Sequence, residues 1–137
     1  MKVVIVGPKD CTDYNLFKEV VDNSSFKIKT IIYDGSNGFN KLSEKYAEDF
    51  GCNIEKFPIK WKDIKNKPEN EIKENKFGKY WVKAGFANNE KMINSADCII
   101  SININNCCSS IINIAKKAGL KVYVYSPEQE ECFGFDF

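Results

Sequence analysis

Two runs of β-branched residues set the frame for this chain: Val3-Val4-Ile5-Val6, and Ile28-Lys29-Thr30-Ile31-Ile32-Tyr33. Apart from Lys29 and Thr30 neither alternates apolar with polar, so each reads as a strand covered on both faces. Residues 97–102 and 120–125 supply two further strands, and 52–58 a shorter one. The intervening segments carry apolar residues at helical spacing. Leu16, Phe17, Val20 and Val21 share one face, after a cap at Thr12 or Asp13. Leu42, Tyr46, Ala47 and Phe50 share a second within 41–50, closed by Gly51 as C-cap. Phe86, Met92, Ile93 and Ala96 share a third, and a helix over 110–117 closes at Gly119. Strands alternating with helices predict a parallel α/β sheet. At 137 residues and 43% hydrophobic, the chain has material for one core and no room for two.

The stretch 28–50 organises the rest. Between its strand and its helix runs Asp34-Gly35-Ser36-Asn37-Gly38-Phe39-Asn40. Free backbone N–H groups and the positive end of the helix dipole converge at such a junction, which makes it a candidate anion site. The same residues suit an ordinary turn, with Ser36 or Asn40 capping the helix. The loop has neither the Gly-Lys-Ser/Thr of a phosphate-binding loop nor the three-glycine dinucleotide fingerprint.

Composition removes several chemistries. All twenty basic residues are lysine, and there is no histidine. Histidine-based catalytic pairs and histidine metal ligands are therefore excluded, as are bidentate arginine clamps on phosphate or guanine. Six cysteines, at 11, 52, 98, 107, 108 and 132, show no C-x-x-C spacing, so zinc is not expected and most should be reduced and buried. Cys107-Cys108 is the pair to watch, because adjacent thiols oxidise only with strain. With a net charge of +1, no apolar run of membrane-spanning length and no cleavable signal, a cytoplasmic protein is expected.

Residues 59–83 break the α/β rhythm. Residues 56–83 hold nine lysines against Asp63, Glu69, Glu71 and Glu74, with Trp61, Phe77, Tyr80 and Trp81 interleaved. A long solvated insertion, centred at about 65–80, with its aromatics folded back on the domain is expected; binding of single-stranded nucleic acid and service as a lid are the alternatives. After the domain at 1–126, residues 127–137 form an acidic tail with three spaced phenylalanines, suited to sheet-edge packing, a homodimer contact or partner docking.

Five blocks in order carry a resemblance over residues 1 to about 125: Met1-Lys2-Val3-Val4-Ile5-Val6-Gly7-Pro8-Lys9-Asp10-Cys11-Thr12-Asp13; the glycine loop running into Leu42-Ser43-Glu44-Lys45-Tyr46-Ala47; Phe57-Pro58-Ile59-Lys60-Trp61; Ala84-Gly85-Phe86-Ala87-Asn88-Asn89-Glu90-Lys91-Met92; and Ile112-Asn113-Ile114-Ala115-Lys116-Lys117-Ala118-Gly119-Leu120. The chain resembles the YspA-like branch of the SLOG superfamily, which includes lysine-decarboxylase-like phosphoribohydrolases and the DNA-processing protein A fold. The resemblance implies a Rossmann-like three-layer sandwich with a five-stranded parallel sheet, binding a nucleotide or nucleotide-derived ligand. Such families usually carry Gly-Gly-Ala-Arg-Gly-Ala-Asp at the loop; here Asp34, Asn37 and Asn40 replace the first glycine, the arginine and the aspartate. Asn88 stands where an arginine is usual, and Cys107-Cys108 replace a Gly-Thr pair.

Framework blocks kept while charged ligand groups change favour a binder over a hydrolase, with Asp34 the acid if there is turnover; no cofactor and no metal is expected. Ligands of open parallel sheets sit outside the carboxyl ends of the strands, where strand order reverses. The candidate ligand-binding residues are accordingly Gly7, Pro8, Gly35, Ser36, Asn37, Gly38, Asn88, Asn89 and Asn105.

Overall fold

The computed structural model describes residues 1–35, 38–104 and 106–126. The strands β1 (Lys2–Val6), β2 (Thr30–Tyr33), β3 (Asn53–Lys56), β6 (Cys98–Ile102) and β7 (Lys121–Tyr125) form one parallel sheet in the order β3-β2-β1-β6-β7. A short antiparallel hairpin, β4 (Ile72–Asn75) with β5 (Gly78–Trp81), stands apart from it. The helices are α1 (Tyr14–Asn23), α2 (Phe39–Phe50), α3 (Ala84–Asn94) and α4 (Ser109–Lys117).

Period-two alternation in the central strands sends side chains into two cores, which is why their positions are mostly apolar, with Thr30 and Ser101 as buried polar exceptions. Val3, Ile5, Ile31, Ile100 and Ile102 meet Phe17, Val20 and Val21 of α1 and Phe39, Leu42 and Tyr46 of α2. Val4, Ile32 and Ile99 meet Met92 and Ile93 of α3 and Ile111, Ile112 and Ala115 of α4. The molecule is thus an α/β three-layer sandwich of the Rossmann-like kind. Each fully buried Val, Ile or Phe contributes about 1.5–3 kcal/mol, so the two covered faces dominate the stability.

Several local expectations need correction. Helix α2 starts at Phe39, two residues before the sequence pattern, because the Phe39 ring belongs to the first core. Asn40 is therefore inside the helix, and the N-cap is Gly38, which offers no side-chain acceptor. Phe50 and Phe86, assigned to apolar helix faces, are 49% and 51% exposed. Phe50 lies on the rim against the Tyr46 ring, with the Lys18 ammonium over it. Strand β3 is shorter than 52–58, although Phe57 N–H still donates to Tyr33 O at 2.8 Å. Of the cysteines expected to be mostly buried, the structure buries Cys98 and Cys108, half-buries Cys11 and Cys52, and exposes Cys107; Cys132 lies outside the described residues. Asp13, one of the two proposed caps, does accept from Leu16 N–H, at 3.0 Å.

The segment after β3 is more ordered than its sequence pattern indicates. The Glu71 carboxylate accepts from the Trp81 indole at 2.9 Å and pairs with Lys83 at 3.1 Å. The Lys67 ammonium lies 4.2 Å from the centre of the Trp81 ring, and Lys62 donates to Phe77 O at 2.6 Å. No described helix is long and apolar enough to cross a membrane.

Candidate functional site

The sheet reverses its winding between β1 and β6: β2 and β3 extend to one side, β7 to the other. Loops leaving the carboxyl ends of two such strands run to helices on opposite faces, and a crevice opens between them. Here α1 follows β1 on one face and α4 follows β6 on the other. A cleft of about 770 Å³ occupies that position. Its walls are Gly7, Pro8, Lys9, Asp10, Cys11, Thr12, Asp13 and Leu16 from the β1–α1 side, and Ile104 and Cys107 from the β6–α4 side. That volume falls within the range of about 300–1,000 Å³ usual for small-molecule sites.

The β1–α1 loop folds on itself, with Cys11 N–H donating to Pro8 O at 3.0 Å. At its end Asp13 occupies the first turn of α1 as its cap, so a carboxylate of the chain already meets that helix's positive end. Lys9 is the lining cation, and Asp10 and Asp13 are lining anions. A compact anion of high charge density would be repelled by the two carboxylates, at about 1 kcal/mol per pair in water and more where water is thin. The Leu16 and Ile104 side chains supply apolar surface on opposite walls.

The β2–α2 junction is built differently. Asp34, half-buried, accepts from the Asn40 amide at 3.0 Å, so it too offers a carboxylate at the start of a helix. Beside it the Tyr33 hydroxyl donates to the carboxylate of Glu44, an exposed residue of α2, at 2.5 Å. Burial, and then the Glu44 carboxylate, push the Tyr33 phenol up to about 12. Gly35 has φ +74°, and a Cβ on it would come within 2.2 Å of the Lys56 side chain. A Cβ on Gly38 would sit 3.2 Å from the Lys9 carbonyl oxygen. Gly35 thus has its left-handed backbone to account for it, and Gly38 the nearby carbonyl. The hollow left at this junction is a crevice of about 40 Å³ that includes Asp34, Phe39, Asn40 and Gly7.

The expected residues therefore divide. Gly7 and Pro8 line the cleft. Gly35 and Gly38 flank the neighbouring junction and are not among the cleft's lining residues. Asn88 is buried, and its amide donates to Phe57 O at 2.7 Å, tying α3 to the end of β3. Asn89 is half-buried on the same helix. Ser36, Asn37 and Asn105 lie outside the described residues. Lys9, Thr12, Leu16, Ile104 and Cys107 were not anticipated. The signal that identifies them is strand order, since they follow the two strands flanking the reversal.

A third hollow, of about 400 Å³, lies on the insertion among Trp61, Lys62, Asn75, Phe77 and Tyr80. Phe77 is 73% exposed there, so this aromatic surface is only partly folded back. Compared with protein-family models, curated proteins and solved structures, the chain finds no match.

Proposed function

We propose that this chain is a small-molecule binding protein of SLOG-like type that holds a nucleotide or nucleotide-derived ligand in the β1/β6 cleft, as a sensor or sequestering protein. The observation that carries the reading is the cleft's position: about 770 Å³ at the point where strand order reverses. The five sequence blocks support the ligand class, and Gly7-Pro8 belong to the first of them. With Asp10 and Asp13 against Lys9, the cleft suits the base and sugar of a nucleoside or a monophosphate better than a polyphosphate.

Hydrolysis of an N-glycosidic bond is the weaker reading, since it requires a carboxylate at the sugar. Asp34 faces the 40 Å³ crevice, too small for a sugar, and is engaged by Asn40. Recovery of a bound nucleotide unchanged after long incubation separates binder from hydrolase.

The test is a thermal-shift panel of nucleosides, monophosphates, ADP-ribose, NAD and cyclic nucleotides, on wild type, Ile104→Trp and Lys56→Glu. A ligand that binds only the native state stabilises it by about 2.7 kcal/mol at a hundredfold excess over Kd. The shift is expected to vanish in Ile104→Trp, which fills the cleft, and to persist in Lys56→Glu, which alters only the glycine-loop side. The reverse pattern moves the ligand to the Gly35–Gly38 junction, and no shift with any compound in wild type removes the nucleotide reading.

A further inference from the structure

At the mouth of the cleft the thiols of two neighbouring residues lie side by side. Cys107 is exposed and lines the cleft, whereas Cys108 is buried in the second core. Their sulfurs are 3.0 Å apart. On a strand adjacent side chains point to opposite faces, and on a helix they diverge by about a quarter turn, so this convergence needs a special backbone. The loop supplies it. Asn106 is left-handed at φ 57°, Cys107 N–H donates to Ile104 O at 3.2 Å, and Asn103 Oδ1 accepts from Cys108 N–H at 3.2 Å. Both thiols consequently face the Ile102 carbonyl oxygen, at 3.5 and 3.9 Å.

We propose that Cys107 and Cys108 are a thiol modification site, at which a hydroperoxide oxidises the pair to a reversible vicinal disulfide. The Cys107 sulfur attacks the peroxide: an S–O bond forms, the O–O bond breaks, and the leaving oxygen departs as an alcohol or water carrying the thiol proton. The Cys108 sulfur then attacks the sulfenic sulfur of Cys107. The S–S bond forms as S–O breaks, and the hydroxide leaves as water with the Cys108 proton. Two thiols and one hydroperoxide give one disulfide, one alcohol or water, and one water, with two electrons passing to the peroxide.

The division of roles follows from the environments. Cys107 is accessible from the cleft and directly precedes the N-cap of α4, so it is the thiol a peroxide meets first. Burial, then the Cys107 thiol beside it, push the Cys108 thiol up to about 12, so it keeps its proton and serves as the resolving partner. Neighbouring Cα atoms across a trans peptide are about 3.8 Å apart, below the roughly 4.4–6.8 Å of ordinary disulfides. The closed bond is strained and easily reduced, as labile regulatory disulfides are. Cys11 lines the same cleft and is the competing partner.

The experiment treats the full chain with one equivalent of hydrogen peroxide, alkylates the remaining thiols after denaturation, and maps tryptic peptides by mass spectrometry. Peptide 92–116 holds Cys98, Cys107 and Cys108. It is expected to carry one alkyl group, on Cys98, with fragment ions placing the loss of two hydrogens at Cys107-Cys108, and to recover all three after thiol reduction. In Cys108→Ser the Cys107 sulfenic acid is expected to persist and to be trapped by dimedone several-fold more than in wild type. Three alkylated thiols in the oxidised wild-type peptide, a cross-link to the peptide 10–18 that holds Cys11, or equal dimedone trapping in both proteins would overturn the proposal.

Discussion

The β1–α1 and β2–α2 junctions are neighbours on one edge of the sheet, yet one is open and the other closed. The β2–α2 loop has the glycines, the asparagine and the helix start of a ligand loop, but Lys56 lies over Gly35, the Lys9 carbonyl approaches Gly38, and the crevice bordered by its described residues is about 40 Å³. The β1–α1 loop carries a plainer sequence and borders about 770 Å³. A glycine in a strand-to-helix turn therefore reports either a left-handed backbone, as at Gly35, or the close approach of another group, as at Gly38, and that group is as readily the protein as a ligand. Phe39 is the wedge between the two. Its ring is buried in the first core, 5.5 Å from the Phe17 ring, and fills the space over Gly7.

Removing the wedge breaks the contrast most directly. Phe39→Ala is expected to cost about 3–5 kcal/mol in urea unfolding, the usual range for deleting a fully buried phenyl ring. It should also join the crevice to the cleft across Gly7, which lines both. A cost below about 1 kcal/mol would mean that the ring is not the partition between the junctions.

Gly7→Ala attacks the same contact from the other side. Its Cβ would fall 2.3 Å from the Phe39 ring, which is 1% exposed and packed in the first core. Overpacking of this kind costs about 1–3 kcal/mol. In a Phe39→Ala background the same substitution should cost almost nothing, because the two residues share one contact. Additive costs in the double mutant would show that Gly7 is required for some other reason.

Gly35→Ala tests the closed junction alone. A non-glycine residue at φ +74° costs about 1–2 kcal/mol, whereas the obstructing Lys56 side chain is flexible and can move. The penalty is expected to remain in a Lys56→Ala background, and its disappearance there would make packing the cause instead of backbone conformation.

The order of strands and helices and the two-sided burial were legible in the chain, because unbroken runs such as Val3-Val4-Ile5-Val6 have no other stable environment in a folded domain. Strand order was not legible, since no local pattern records which strands pair, and the cleft depends on it. Gly7 and Pro8 were found by the strand-end rule; the same rule led to Asn105 after β6, which lies outside the described residues, and passed over its neighbours Ile104 and Cys107 because an apolar residue and a thiol carry no local mark of a ligand site. Phe39 was hidden in a polar loop, so the start of α2 was placed two residues late. The hairpin was hidden too: Ile72–Asn75 and Gly78–Trp81 offer no clean alternation, and their order comes from the Glu71, Lys62 and Lys67 contacts made across the insertion.

The smallest expected effect sharpens the contrast through pH. Tyr33 closes its junction by donating to Glu44, and burial followed by that carboxylate pushes its phenol up to about 12. In the unfolded chain a tyrosine titrates near 10. The native state therefore holds the proton more tightly, and the stability this provides is fully present below about pH 10 and lost as pH rises through about 12. Tyr33→Phe keeps the ring and deletes the hydroxyl, so at pH 7 it should cost about 0.5–1 kcal/mol, the worth of an ordinary hydrogen bond. Tyr14 and Tyr46, also pushed up by burial, are the same in both proteins and cancel in the difference. Urea unfolding of the pair across pH 8 to 12 should show the two curves converging as the wild type loses its advantage. A difference that stays constant to pH 12 would mean that the Tyr33 hydroxyl is not held by Glu44, and that the β2–α2 junction is closed by packing alone.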